Sequence, residues 1–293
     1  MNSFYYLRML RLKDWVRGVF WIPVFAAFLV SYSLKIALIV SMISFCTLAY
    51  GFIINNYFDV EIDKKNERKI KANKNPLAQG SVTERGTLII MMFLLFFSFV
   101  LAAYLNFIGF VFVGLSVITS TLYSIKHVRL KEKTGADIIS HGLMGGFFPF
   151  LAGITLAGGI IDFYILSIGF LFFLIGCNAL LSHQVIDYDQ DLGNTQNTTT
   201  RIGRKVSFIF LILIQFVFLL CFLVMLEHFV LKWWIYYLFI FLLFWIPLDC
   251  VRRAINASNQ LVIKAPKGRE VSVFFQRKLR LVFSIILSIF KFF

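Results

Sequence analysis

The sequence predicts an all-α, polytopic membrane protein: about nine transmembrane helices around a central chamber, with a polar site on the cytoplasmic side. Three observations carry that expectation. Hydrophobic residues fill 59% of the 293 positions, charged residues only 15%, and phenylalanine alone occurs 36 times, whereas an ordinary soluble domain carries about a quarter charged residues. The apolar residues fall in runs of about 20, the length that crosses a bilayer as a helix. Lys and Arg crowd onto one set of connections, to which all 29 belong except Lys35, Lys232 and Lys291.

Nine spans are placed at roughly 15–33, 36–58, 86–105, 107–125, 138–157, 160–183, 206–226, 230–249 and 274–292. The long connections are the N-terminus, 59–85, 126–137, 184–205 and 250–273; the opposite connections are short turns. By the positive-inside rule the long connections are cytoplasmic and the C-terminus is outside. The net charge of +14 is therefore a topology signal, and no nucleic-acid partner is needed to explain it. The basic, amphipathic first fifteen residues do not read as a cleavable signal. Cys46, Cys177, Cys221 and Cys250 sit in or beside apolar runs without metal-like spacing and read as packing residues. The chain reads as a single domain, 1–293, with acidic motif loops at 55–80 and 183–205.

The chemistry concentrates at two helix ends. Asn55, Asp59 and Asp63 are spaced by four, a step that rotates a helical side chain by only about 40°, so all three share one face. His183, Asp187 and Asp191 repeat the spacing, and one offset relates all three pairs. Carboxylates at i and i+4 repel, more so in a low dielectric, so such faces are suited to holding a cation. Oxygen-rich faces paired with substrate phosphate favour Mg²⁺. Acids also collect at helix ends simply because headgroups solvate them; two clusters in matching register argue against that alone.

Basic groups flank these faces. Lys64, Lys65, Arg68, Lys69, Lys71 and Lys74 follow the first acidic cluster, where they set orientation and are placed to hold a phosphorylated substrate. Asn75-Pro76-Leu77-Ala78-Gln79-Gly80 is a turn-forming stretch, and Ser81-Val82-Thr83-Glu84 has capping-box spacing for the third span. Tyr123 precedes Lys126, His127, Arg129 and Lys131 at a helix end, an arrangement that snorkelling and interfacial anchoring also produce. Asp137 and His141, four apart, form a weaker candidate pair. After Asp191 come Gly193, a Thr198–Thr200 run, Arg201, Arg204 and Lys205. The basic stretch Lys264–Arg280 reads as a surface-lying helix on anionic lipid.

In order along the chain, Asn55-x-x-x-Asp59-x-x-x-Asp63, Asn75-Pro-Leu-x-x-Gly80, Tyr123-Ser-x-x-x-x-Arg129-Leu-Lys131 and Asp187-x-x-x-Asp191 with Gly193 and its Thr-rich run resemble the UbiA superfamily of intramembrane prenyltransferases, over about Asp14 to Lys205. Two positions depart: Asn56 stands where the family usually has Asp, and Asn75 where it usually has Arg. The resemblance implies Mg²⁺ held by Asn55, Asp59, Asp63, Asp187 and Asp191. It implies catalytic roles for Asp59, Asp63, Asp187, Asp191 and Tyr123. Binding of the diphosphate would fall to Asn55, Lys71, Lys74, Lys126, Arg129, Lys131 and His183. For His183 three roles stay open: metal ligand, hydrogen-bond partner of Asp187, or base for the acceptor's proton.

The implied reaction moves a prenyl or polyprenyl group from its diphosphate to a lipophilic acceptor, with an aromatic or quinone precursor favoured. Glycerol-phosphate lipid, carotenoid or tetrapyrrole prenylation and terpene cyclisation are the alternatives within the superfamily. The partners expected are the prenyl diphosphate, the acceptor and membrane lipid, and the location expected is the cell membrane, multi-pass, with the site facing the cytoplasm. A transporter would place its acids near span centres, whereas these cluster at span ends. A CDP-alcohol phosphotransferase would need an Asp-Gly-x-x-Ala-Arg signature that the sequence lacks.

Overall fold

A computed structural model of the chain describes residues 4–16, 18–64 and 74–228, and everything described is helix, turn or loop. In chain order the helices are α1 (Phe4–Met9), α2 (Leu12–Trp15), α3 (Trp21–Val30), α4 (Leu34–Phe58), α5 (Val60–Lys64), α6 (Glu84–Leu105), α7 (Phe107–Ser124), α8 (Ala136–Gly142), α9 (Phe148–Leu156), α10 (Phe163–Asp191), α11 (Thr198–Ile202) and α12 (Arg204–His228). A 3₁₀ turn, Leu130–Glu132, precedes α8, and a π-helical turn, Leu143–Phe147, joins α8 to α9. Among the described residues, six stretches are long and apolar enough to cross a membrane: α4, α6, α7, the composite 136–156, α10 and α12. The two last spans expected from the sequence, the Lys264–Arg280 stretch and Cys250 lie outside the described residues.

Neighbouring spans alternate in direction because one set of connections is too short to do otherwise. Among the described residues, 31–33, Asn106 and 157–162 are the links at one end, and each helix that follows starts on a polar cap. Asn106 Oδ1 accepts from Ile108 N at 2.8 Å and Asp162 Oδ1 from Ile165 N at 2.8 Å, satisfying orphan amides of the first turn. The opposite end carries the long connections. α4 packs on α3, α6 and α7, and α10 packs on α8, α9 and α12. The core between them holds Phe150, Leu151, Ile168 and Leu171, while Phe93, Phe96 and Phe107 point outward, as a lipid-facing surface requires.

Three expectations are corrected. The first span is not continuous over 15–33: the chain turns between Trp15 and Trp21, and α3 is only 10 residues long, about 15 Å at 1.5 Å per residue. Trp15 is the reason, since its indole Nε1 donates to Leu10 O at 2.7 Å and its ring packs among Phe20, Phe45 and Phe52. The third span is opened not by a box at Ser81 but by Thr83, whose Oγ1 accepts from Gly86 N at 3.1 Å. The sixth span runs on to Asp191 as one 29-residue helix. Some 20 residues cross the hydrocarbon, so the turns bearing His183, Asp187 and Asp191 project beyond it.

Small residues let the 136–156 span and α10 approach. A Cβ built on Gly146 would lie 2.1 Å from the Phe172 carbonyl oxygen, and one on Gly176 would lie 2.9 Å from Gly142 Cα. Backbones in contact are a common packing device between membrane helices. Gly146→Ala is therefore expected to cost about 1–3 kcal/mol through overpacking and to lower the melting temperature in detergent. Gly145→Ala, where the nearest atom would be His141 Cε1 at 3.7 Å, should leave it within a degree or two. Equal melting of both variants would contradict the packing described.

Candidate active site

The first acidic face survives a break in its helix. α4 ends at Phe58 and Asp59 takes the cap position, yet Asp59 N still donates to Asn55 O (3.1 Å) and Asp63 N to Asp59 O (2.8 Å). The i→i+4 register thus carries through to α5, and Asn55, Asp59 and Asp63 stay on one side.

The loop after α7 closes over this face. Lys131 Nζ donates to Asn55 Oδ1 at 2.7 Å and to both Asp59 carboxylate oxygens at 2.6 Å. Arg129 adds a bond from its NH2 to Asp59 Oδ1 at 3.1 Å and pairs through Nε with Glu132 Oε1 at 2.6 Å. Burial by itself would pull the Arg129 guanidinium down, but Glu132 and Asp59 hold it above its ordinary value, so it stays charged. Its backbone is left-handed, φ 45°, a conformation that costs a non-glycine residue about 1–2 kcal/mol and is characteristic of functional sites. Ser124 Oγ donates to Asn55 Oδ1 at 3.4 Å. Tyr123, half-buried at the end of α7, lies within electrostatic range of both Asp59 and Asp137.

The described stretch from Lys74 to Asn75 is held by the two asparagines that mark the departures in the sequence. Asn75 is buried, and its Nδ2 donates to Asp63 Oδ2 at 2.9 Å and to Asn56 O at 2.8 Å. Asn56 Nδ2 reaches Lys74 O at 3.4 Å. Asn56 therefore points away from the 55/59/63 face, as its register predicts, and Asn75 fixes a carboxylate. Lys74 and Lys126 are exposed, and Lys71 lies outside the described residues.

The second acidic face lies on the projecting end of α10. His183 is exposed, within electrostatic range of His141, and Asp187 is half-buried. Asp191 Oδ2 accepts from Asn197 Nδ2 at 3.1 Å. Asn197 also caps α11 in a reciprocal box with Thr200. Among the described residues, no three Asp, Glu, His or Cys side chains gather into one ligand cluster. Two carboxylate faces repel one another unless cations stand between them, and here Lys131 and Arg129 already compensate the first.

Sequence reading missed one assembly. Asp137, wholly buried, accepts from Gln184 Nε2 (2.7 Å), from Thr198 N (2.9 Å) and from Thr198 Oγ1. The Asn197-x-x-Thr200 spacing was a legible signal for the cap, but nothing local tied it to Asp137. His141 instead engages the Gly176 carbonyl through Nδ1 at 3.0 Å, so the 137/141 pair is divided between two tasks.

What these residues present is an oxygen-only donor set, Asn55 Oδ1 with both Asp59 oxygens, converging on one cationic centre, beside a fixed guanidinium. The arrangement suits a hard cation and a polyanion together.

No curated protein matches the chain. Among solved structures, a UbiA homolog from Archaeoglobus fulgidus bound to GPP and Mg²⁺ superposes with a TM-score of 0.73 at 20% identity, covering 84% of this chain and 86% of that one. A structure of digeranylgeranylglyceryl phosphate synthase gives 0.61 at 20% identity, covering 97% and 95%. An apo UbiA homolog from Aeropyrum pernix K1 gives 0.65 at 15% identity, covering 88% and 92%. These likenesses establish the fold, and the apolar helices with it make the chain an integral membrane protein. The profile of the UbiA prenyltransferase family matches residues 18–262, and the chain belongs to that family.

Proposed function

We propose that this protein transfers a prenyl group from a prenyl diphosphate to a lipophilic acceptor, at a Mg²⁺-dependent site between the two acidic faces. The observation that carries the reading is the convergence of Asn55 Oδ1 and both Asp59 oxygens on Lys131 Nζ at 2.6–2.7 Å. The ammonium stands in for the cation that such a donor set fits. Bound there, Mg²⁺ would neutralise charge building on the departing diphosphate. Asn55, Asp59 and Asp63 would hold it at the first face, Asp187 and Asp191 at the second.

The chain's own residues do the rest. Arg129, pinned by Glu132, keeps a charged donor beside Asp59 for the diphosphate oxygens, and Lys131 exchanges its carboxylate for the same anion. Lys71, Lys74, Lys126 and His183 are further candidates for that anion. As the allylic C–O bond breaks, its electrons leave with the diphosphate, and the acceptor supplies the new bond and loses a proton. Tyr123, between Asp59 and Asp137, stands near the forming cation; His183 is one candidate for the proton. An aromatic or quinone-precursor acceptor is the favoured class. Comparing lipid extracts of cells with and without the gene would show which prenylated product disappears.

Transfer should stop in EDTA and return with Mg²⁺, and Asp59→Asn or Asp187→Asn should lower kcat at least about 10²-fold, since each weakens electrostatic support of the leaving group. Full activity in chelator would overturn the reading. Lys131→Gln carries a sharper expectation. Removing the resident ammonium should strengthen binding of Mn²⁺ to the donor-free protein while raising the KM for prenyl diphosphate. Weaker Mn²⁺ binding would mean that Lys131 supports the cation site rather than competing for it.

The basic residues of the long connections support a site on the cytoplasmic face of the cell membrane. A reporter inserted at Lys71 should then be cytoplasmic and one fused after Phe293 external. A cytoplasmic signal from the second would change the span number by one.

A further inference from the structure

Asp137 belongs to no acidic motif, yet it is the hub of a closed hydrogen-bonded ring. Its Oδ2 accepts from Gln184 Nε2 at 2.7 Å and Thr198 N at 2.9 Å, while Oδ1 accepts from its neighbour Ile138 N at 2.8 Å and from Thr198 Oγ1. Gln184 turns its other end to Thr199, accepting from N at 3.2 Å and Oγ1 at 3.1 Å. Thr198 Oγ1 in turn accepts from Gly135 N at 2.7 Å. Asp137 and Thr199 are 0% exposed, Thr198 4% and Gln184 7%. The ring joins three places distant in sequence: the first turn of α8, the penultimate turns of α10 and the start of α11.

The chemistry of the ring is specific. A carboxylate presents acceptors only, and here it faces three N–H groups and a hydroxyl. No ion pair to Asp137 occurs among the described residues; neutral donors and the N-terminal turn of α8 meet its charge. Such an acceptor is worth burying where the position of its donors matters. Two of the donors belong to Thr198, the first residue of α11, and α11 is capped by Asn197, whose Nδ2 holds Asp191 Oδ2 at 3.1 Å. The path from Asp137 to the second acidic face is thus Asp137, Thr198, Asn197, Asp191, with Gln184 bracing α11 against the same helix that carries Asp187.

We propose that Asp137 is a positioning residue: through Thr198 and Gln184 it locks α11 so that Asn197 orients the Asp191 carboxylate toward the cation and diphosphate. This rests on the assignment of Asp191 to the second acidic face of the transferase. Asp137 touches neither substrate nor metal. Its effect is expressed through the aim of one ligand, as outer hydrogen bonds do for metal sites generally.

The test is Mn²⁺ binding to the full-length protein in lipid nanodiscs, with inorganic pyrophosphate present, alongside kcat and KM with prenyl diphosphate. Asp191→Asn defines the binding class that depends on the second face. Asp137→Asn should weaken that class by ~10-fold or more, the loss typical of severed outer partners. The class that depends on Asp59 should stay within about two-fold, since among the described hydrogen bonds it shares no partner with Asp137. The kinetic loss should appear in kcat, at a Mg²⁺ requirement shifted upward and restored in part by excess Mg²⁺. Asn197→Ala should reproduce the shift, and the double variant should be no worse than the stronger single one, because both cut one path.

Should Asp137→Asn not fold, Thr198→Val removes a single donor and must shift the same class, while Thr198→Ser keeps the hydroxyl and must not. An Asp191-dependent class left intact by Asp137→Asn and Thr198→Val overturns the proposal and leaves the transferase reading standing. Additive losses from Asp137→Asn and Asn197→Ala overturn it as well. Absence of any Asp191-dependent class in the wild-type protein overturns both.

Discussion

Buried carboxylates that must not be left unanswered shape the end of this bundle that carries the long connections. Asp59, Asp63 and Asp137 are 6%, 4% and 0% exposed, and a buried charge without partners costs several kcal/mol. Each is answered by a loop from elsewhere in the chain. The loop after α7 sends Arg129 and Lys131 to Asp59, the loop after α5 sends Asn75 to Asp63, and the loop after α10 sends Thr198 to Asp137. Apolar contacts hold part of these loops, as Leu77 and Val82 pack into the cluster around Trp15. The acids fix the rest, so the residues that build the candidate site also build the structure around it.

That economy explains the different characters of the two acidic faces. The first is compensated by resident cations and sits under a closed loop. The second projects on helix turns beyond the hydrocarbon, with His183 exposed and Asp187 half-buried. A site divided in this way has one half arranged in advance and one half reachable from outside.

The sequence disclosed what is periodic or local. Spacings of four placed Asn55, Asp59 and Asp63 on one face, and that register persists although the helix breaks at Asp59. Apolar runs located the spans from α4 to α12, and the position of Asn56 off the face was readable from the wheel. What stayed hidden depends on contacts between distant residues. Asp137 and Gln184 are 47 positions apart, Asp137 and Thr198 61, and no periodicity links them. The interruption of the first span is likewise tertiary, since it follows from the lodging of Trp15 among aromatic rings of α4. Thr83 displaced Ser81 as the cap of α6 because the chain from Asn75 reaches the helix already committed to its bond with Asp63 and the turn that follows.

The π-helical turn at Leu143–Phe147 has a consequence for how the fifth span is phased. A π turn accommodates one residue more than an α turn, so it rotates everything beyond it by about 100° about the axis. Asp137 and His141 on one side of it, and Phe150 and Ile154 on the other, therefore answer to separate registers. The end that meets the polar network and the end that meets Phe172 and α3 are two helices in one span, joined by a clutch of small residues. Shortening that turn by a single residue would leave the span's length and hydrophobicity almost intact, yet turn one end's side chains away from their partners.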